Sequence, residues 1–255
     1  MSGNILLNRL IPKIFRPRPP SKLNDVLVSG ASRNDVYAQM VDFYESHLPW
    51  ELVRHRRYFS KEGRGFGEDA FHSMWFLLFS ELRPVQCLEI GVYRGQILTL
   101  WQLLARRLGY QARIAGVSPF SSAGDSVSQY SETIDYLSDT KRNHDHFRLD
   151  YPDFRVAYSN SDAAMQFISS TRWDLIYIDG SHDYNIVCQD WDISVRNIAK
   201  RGIVVMDDSS LYFDYKPGPG SFAGHPGPSK VAKEISQNQL KLIGGVGHNN
   251  IFMAS

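Results

Sequence analysis

From Pro84 onward the chain alternates short apolar runs with helical patterns, and no other feature constrains its fold as strongly. Residues 85–90 (VQCLEI) read as a buried strand and 95–109 as a helix closed by Gly109. Residues 112–117 are strand-like and 127–137 helical, after which 154–159, 162–170 and 173–179 give strand, helix and strand. Residues 185–200 read as a helix, 202–208 as a strand and 229–237 as a helix, while 240–246 and 250–255 pair as a closing hairpin. Strands that are apolar almost throughout, separated by helices, predict an α/β fold: a mostly parallel sheet with helices on both faces. The closing hairpin adds one antiparallel strand at or near the edge.

Before Pro84 the pattern is helical. Val36, Met40, Val41 and Tyr44 recur at helical spacing over 34–47, and Phe71, Met74, Trp75, Leu78 and Phe79 do so over 68–82. The glycine-punctuated connector at 58–71 brings Glu68 toward whatever site the sheet carries. The expected organisation is a basic, proline-rich arm (1–33), a helical extension (34–83) and the α/β domain (84–255). In the arm, Arg9, Lys13, Arg16, Arg18 and Lys22 alternate with Ile5, Leu6, Leu7, Leu10, Ile11, Ile14 and Phe15, with no acid among them. Such a stretch reads as an arm packed on a neighbour, the alternative being weak contact with an anionic membrane surface.

Composition excludes several classes. At 255 residues, 43% hydrophobic and 22% charged, the chain suits one α/β domain with an accessory segment. A net charge of +1 argues against nucleic acid as the main partner. The only cysteines, Cys87 and Cys188, form no Cys-x-x-Cys pair, which excludes a disulfide scaffold and a cysteine-rich zinc site. No apolar run is long enough to span a membrane, and the start lacks a secretory pattern, so a cytoplasmic setting is expected. Self-association into a homo-oligomer stays open.

In a sheet of this kind ligands bind beyond the carboxyl ends of the strands. The first strand runs into Glu89-Ile90-Gly91-Val92-Tyr93-Arg94-Gly95 and then a helix. Gly91 permits a tight turn, Gly95 a close helix start, and Glu89 offers a carboxylate at the strand's end. The spacing E-x-G-x-x-x-G is not the G-x-G-x-x-G of dinucleotide folds. It resembles motif I of the class I S-adenosylmethionine (SAM)-dependent methyltransferases, which implies a Rossmann-like seven-stranded sheet. The resemblance places SAM at Glu89, Gly91, Tyr93 and Gly95. The second strand ends in Ser118-Pro119-Phe120, where that family usually carries an acid for the cofactor ribose. Ser118 offers only a single hydroxyl there, so ribose recognition shifts to Glu89 or backbone groups. Ser161 and Asp162 suit a helix N-cap, and in such enzymes that turn lies beside the adenine.

Two further strand ends carry acids: Asp179 in Asp179-Gly180-Ser181-His182-Asp183-Tyr184, and Asp207-Asp208. Parallel strands deliver their carboxyl ends to one edge, so these acids are expected to converge, and convergent carboxylates repel unless a cation sits among them. Oxygen ligands suit Mg²⁺, with Mn²⁺ or Ca²⁺ as alternatives; the competing reading is three turn caps. His182, three residues past Asp179, is placed to take a proton, whereas His47, His55 and His72 read as ordinary structural histidines.

This set is similar to the metal-dependent O-methyltransferases, in particular the branch with macrolide sugar O-methyltransferases and relatives once labelled cephalosporin hydroxylases. The resemblance covers 88–252 and implies that Asp179, Asp207 and Asp208 hold Mg²⁺, that Asp179 also borders the cofactor, and that His182 is the base. Gly247-His248-Asn249 fits the style of the family without an assigned role. The Gly/Pro-rich loop after the last acidic strand reads as a lid, with His225 as a second candidate base or acceptor contact. Tyr212 and Lys216 mimic a dehydrogenase pair, but Pro217 follows at once and no dinucleotide motif accompanies them. The expected activity is metal-dependent methyl transfer to a hydroxyl of a sugar, glycan or natural product. The alternatives are a non-haem iron oxygenase, for which His182 needs a partner such as His225, and a non-catalytic SAM-binding protein.

Overall fold

The computed structural model describes residues 22–27, 30–235 and 239–255, so the arm proposed at the N-terminus lies largely outside the described residues. The elements in chain order are α1 (Leu23–Leu27), α2 (Arg33–Ser46), α3 (Trp50–Phe59), α4 (Asp69–Leu82), β1 (Gln86–Ile90), α5 (Gln96–Arg107), β2 (Arg113–Ser118), α6 (Tyr136–Phe147) and β3 (Asp153–Val156). Then follow α7 (Asp162–Ser169), β4 (Trp173–Ile178), α8 (Tyr184–Asn197), β5 (Ile198–Met206), α9 (Pro226–Lys230), a π turn (Val231–Ile235), β6 (Lys241–Val246) and β7 (Asn249–Met253).

The strands form a single seven-stranded sheet in the order β3-β2-β1-β4-β5-β7-β6. β1 to β5 are mutually parallel, and β7 slots between β5 and β6, antiparallel to both. The antiparallel strand is therefore one place in from the edge, and β6 at the edge runs with the others. That order has a consequence for the site: the turn after β6 reaches the same edge as the carboxyl ends of β1, β4 and β5.

Cys87, Leu175, Tyr177, Ile203 and Val205 point to one face and share a core with Met40, Leu52, Met74 and Trp75 of α2, α3 and α4. Leu88, Ile90, Ile176, Ile178, Val204 and Met206 point to the other, against α7 and α8. This two-sided burial is what strands of nearly continuous apolar sequence require. The helical extension thus has no core of its own but completes one face of the sheet. Trp75 of α4 meets Tyr177 of β4 edge-on at 5.2 Å, directly below the strand end that carries Asp179.

Local chemistry explains where elements begin. Ser32 caps α2 in a reciprocal capping box with Asp35, and Asp135 caps α6 through Ser138 N–H. Several sequence expectations shift. Helix α3 has no counterpart among them, because its arginines and the buried His55 hide the apolar spacing of Leu52, Val53 and Phe59. The helix expected at 127–137 is a loop until Asp135, since the Asp125 carboxylate accepts the N–H groups of Val127 and Ser128 and closes a turn there. The helix expected to run to residue 200 stops at Asn197, where Ile198 pairs with Trp173 and begins β5. The last helix starts three residues early, with Pro226 in its first turn, and widens to a π turn after Lys230.

His55 and His72 are structural, as expected. Their rings lie 3.0 Å apart nitrogen to nitrogen, His55 also meets Thr99 Oγ1 at 2.9 Å, and burial pushes both pKa values down.

Candidate active site

The carboxyl ends of β1, β2, β4 and β5 open into a cavity of about 570 Å³. Its lining includes Glu89 and the Gly91–Arg94 turn, Ser118 with the loop that follows β2, Tyr158 to Asn160, Asp179 to Asp183, and Asp207 and Asp208. Phe66 and Gly67 of the connector, Phe222 and His225 of the Gly/Pro loop, and His248 also line it.

The glycine turn works differently from its sequence reading. Gly91 has φ +101°, and a Cβ there would lie 2.1 Å from the carbonyl oxygen of Asp179. The glycine is needed because the β1 and β4 ends approach so closely, with Asp179 N–H donating to Ile90 O at 2.8 Å. Gly95 has φ +79° and packs against Thr140, so it stands behind the cavity wall instead of lining it. Tyr93 lines the cavity within an aromatic wall, its ring 5.0 Å from Phe66, 5.6 Å from Tyr130 and 5.3 Å from Tyr136.

Ser118 also lines the cavity, yet its hydroxyl donates to Val92 O at 2.9 Å and accepts from Phe120 N–H. That hydroxyl holds the β1 turn to the β2 end and is already satisfied on both sides. Ser161 caps α7, as expected, but neither it nor Asp162 lines the cavity; Tyr158, Ser159 and Asn160 take that place. Glu89 is buried with Oε2 unpaired, and burial followed by the charge of Asp207 pushes its pKa well up.

The acids converge as the parallel strands require. Burial first, then Asp207, Asp208 and Glu89, raises the Asp179 carboxyl well above the usual carboxylate range. Burial and Asp207 likewise raise Asp208. Asp207 goes the other way: burial opposes ionisation, but His248 beside it more than compensates. Three histidines face these acids. His182 Nε2 lies 2.9 Å from Asp208 Oδ2, His225 Nε2 3.9 Å from the same atom, and His248 Nε2 3.3 Å from Asp207 Oδ1 and 3.6 Å from Asp208 Oδ1. Burial alone would lower His248, but Asp207, Asp208 and Glu68 lift it to about 9. His182 is raised for the same reason, Asp208 and Asp125 outweighing burial. Burial and His182, whose ring centroid is 4.3 Å away, lower His225.

Among the described residues, two groups place three potential metal-ligand atoms within 4.8 Å of one another: Asp207, Asp208 and His248, and His182, Asp208 and His225. Asp179 shares the edge with these groups but belongs to neither. Three site residues had no assigned chemistry in the sequence. Asp125 lies in a stretch whose Gly124-Asp125-Ser126 is turn chemistry, the one local signal available for it. His248 sits in the β6–β7 turn, and Glu68 bridges that turn to the lid by accepting Ser221 Oγ–H at 2.8 Å and lying 3.7 Å from His248 Nδ1.

A seven-stranded sheet of this order is that of the Rossmann-like methyltransferase fold. Residues 88–209 match the family model described as a methyltransferase domain. Comparison with curated proteins finds no match. Solved structures agree on the fold. The SAH-bound methyltransferase PaMTH1 of Podospora anserina superposes with TM-score 0.58 at 14% identity, over 86% of this chain and 95% of that one. An O-methyltransferase of Bacillus cereus in complex with SAH gives TM-score 0.57 at 14% identity, over 88% and 100%. CalS11, a TDP-rhamnose 3′-O-methyltransferase of calicheamicin biosynthesis, gives TM-score 0.53 at 17% identity, over 86% and 93%.

Proposed function

We propose that the protein is a divalent-metal-dependent O-methyltransferase that moves the methyl group of SAM to a hydroxyl of a sugar, glycan or related natural product. The observation that carries this reading is the meeting of one cavity, the glycine turn and the acid–histidine cluster at a single sheet edge. SAM would occupy the part of the cavity bordered by Tyr93, Ser118 and Tyr158 to Asn160. The acceptor would lie between His182, His225 and Phe222.

The cluster suits a cation. Asp207 Oδ1 is buried without a hydrogen-bond partner, and the carboxyls of Asp179, Asp207 and Asp208 crowd one another. Asp207 and Asp208 would hold a divalent ion such as Mg²⁺ or Mn²⁺, with Asp179 beside them. Bound there, the ion supplies Lewis acidity that makes an acceptor hydroxyl easier to ionise.

The chain's own residues supply the rest. Asp125 orients His182, and His182 Nε2 takes the hydroxyl proton. The acceptor oxygen then displaces the methyl group in line from the sulfonium, with proximity supplying much of the rate. The aromatic wall and the Phe222 side of the lid exclude water from the reacting atoms. Free Cys87 and Cys188 accord with the cytoplasmic setting that is part of this proposal.

His182, His225 and Asp208 also form a two-histidine, one-carboxylate set, the observation that favours iron-dependent oxygenation as a second reading. Incubation with SAM, Mg²⁺ or Mn²⁺ and a panel of hydroxylated sugars separates the two. SAH formation with a methylated sugar is expected. Oxygen uptake with Fe²⁺ and 2-oxoglutarate, without SAH formation, would overturn the proposal.

A further inference from the structure

Which residues hold the cation is a question that rests on the metal requirement of the proposed function and extends it. We propose that His248 joins Asp207 and Asp208 in holding the ion, and that the site therefore takes a divalent transition metal such as Mn²⁺ in preference to Mg²⁺.

The geometry of three atoms carries this. His248 Nε2, Asp207 Oδ1 and Asp208 Oδ1 face one another, with the nitrogen 3.3 Å and 3.6 Å from the two oxygens, inside the separation that ligands of one ion adopt. Asp207 Oδ1 is buried and has no hydrogen-bond partner. His248 is only 4% exposed, so its imidazole is not a surface group that happens to lie near an acid. Its other nitrogen, Nδ1, donates to Phe222 O at 3.3 Å and has the Glu68 carboxylate at 3.7 Å. A ligating histidine characteristically spends its second nitrogen in this way, which fixes the ring and leaves Nε2 directed at the metal.

The surroundings hold the ring in place. The Phe71 ring packs edge-on against it at 4.6 Å and Phe222 at 4.8 Å. Asn249 and Asn250, which follow it, are buried, and Asn250 Nδ2 donates to Ser209 O at 2.8 Å beside the acid pair. The β6–β7 turn is thus fastened to the end of β5, and a ligand mounted on it is as well positioned as one on the strand.

The competing group, His182 with His225 and Asp208, is less suited. His182 already has a carboxylate at each nitrogen, at 2.8 Å and 2.9 Å, and the His225 side chain is 30% exposed. A site of two carboxylates and one imidazole has the nitrogen donor that Mn²⁺, Co²⁺ and Zn²⁺ accept readily, whereas Mg²⁺ favours oxygen donors and retained water.

The test uses the full chain with SAH and Mn²⁺ and reads the metal itself. Free Mn²⁺ is followed by its electron paramagnetic resonance signal, and a directly bound nitrogen by pulsed measurement of ¹⁴N modulation. The parent protein is expected to bind Mn²⁺ with a ¹⁴N coupling and to prefer it to Mg²⁺ in competition. His248→Ala is expected to lose the coupling and to weaken Mn²⁺ by about 10- to 100-fold, the scale set by losing one member of a metal's support. His248→Gln, which keeps a polar group in the turn, is expected to lose the coupling too, and unchanged SAH titration shows that either variant has folded. A coupling retained in both His248 variants, or one that vanishes in His182→Ala instead, overturns the assignment while leaving a metal site in place. Failure of the parent protein to hold Mn²⁺ overturns this inference together with the metal part of the proposed function.

Discussion

Asp125 grips His182 twice through one oxygen: Oδ2 lies 2.8 Å from the imidazole Nδ1 and accepts the His182 backbone N–H at 2.7 Å. Its other oxygen accepts the N–H groups of Val127 and Ser128, so the carboxylate is itself fixed, and these hydrogen bonds hold its pKa down against burial. An ionised, immobile partner 57 residues away sets both the position and the ring orientation of the histidine.

The first prediction follows from that grip. His182→Ala should lower methyl transfer by about 10²- to 10⁴-fold, the range for loss of a positioned acid–base group. Asp125→Asn keeps the shape but weakens the orienting charge, so a smaller loss of roughly tenfold or more is expected. Both variants should titrate SAH like the parent protein. Equal turnover of parent protein and His182→Ala would remove this residue from the chemistry and direct attention to His225.

Ligand-dependent melting addresses the cavity. SAH at 100 times its dissociation constant should stabilise the fold by about 2.7 kcal/mol, while NAD and 2-oxoglutarate should leave it unchanged. A chelator should abolish turnover but change SAH affinity little, because none of the candidate ligands Asp207, Asp208 and His248 belongs to the glycine turn. Gly91→Ala is a poor probe of binding, since its Cβ meets the Asp179 backbone at 2.1 Å and should lower the melting temperature on its own. A shift with NAD equal to that with SAH would contradict the assignment.

Glu68 ties the lid to the helical extension. It accepts from Ser221 in the Gly/Pro loop and from the Tyr37 hydroxyl of α2. Glu68→Ala should cost about 2 kcal/mol of stability, the scale of hydrogen bonds to a charged group. Cleavage within residues 211–223 by a nonspecific protease should become faster, and KM for the acceptor should rise more than kcat falls. Unchanged proteolysis would mean that the proline-rich loop holds its own shape.

Asp190 of α8 gives a pH signature of its own. It is 1% exposed, and burial, only partly offset by the Ser159 hydroxyl, pushes its pKa up to about 7. The unfolded carboxyl ionises near pH 3.9, so the native state binds the extra proton between roughly pH 4 and 7. The contribution is therefore complete in acid, is lost as the pH rises through about 7, and leaves a buried charge beyond that. Asp190→Asn should be more stable than the parent protein at pH 8, by on the order of a few kcal/mol, and nearly equal to it at pH 4. Urea unfolding at the two pH values measures this, and the same difference at both would refute it.

Much of the fold was legible because it is encoded locally. Strands buried on both faces must be apolar throughout, so 85–90, 173–179 and 202–208 announced themselves, and parallel strands necessarily bring Asp179, Asp207 and Asp208 to one edge. His182 followed from its place three residues beyond a strand end. The sequence alone did not show that Gly91 serves the β1–β4 contact, because a close approach between two backbones is a property of the pair and not of either strand. Nor did it show where the remaining site residues would come from. Asp125 arrives on an irregular loop and His248 on a turn whose edge is decided by β7 slotting between β5 and β6, whereas Glu68, expected near the site, arrives on the N-cap of α4. Residue patterns set the direction and burial of each element, whereas side-chain convergence depends on strand order and long-range packing, which have no local periodicity to read.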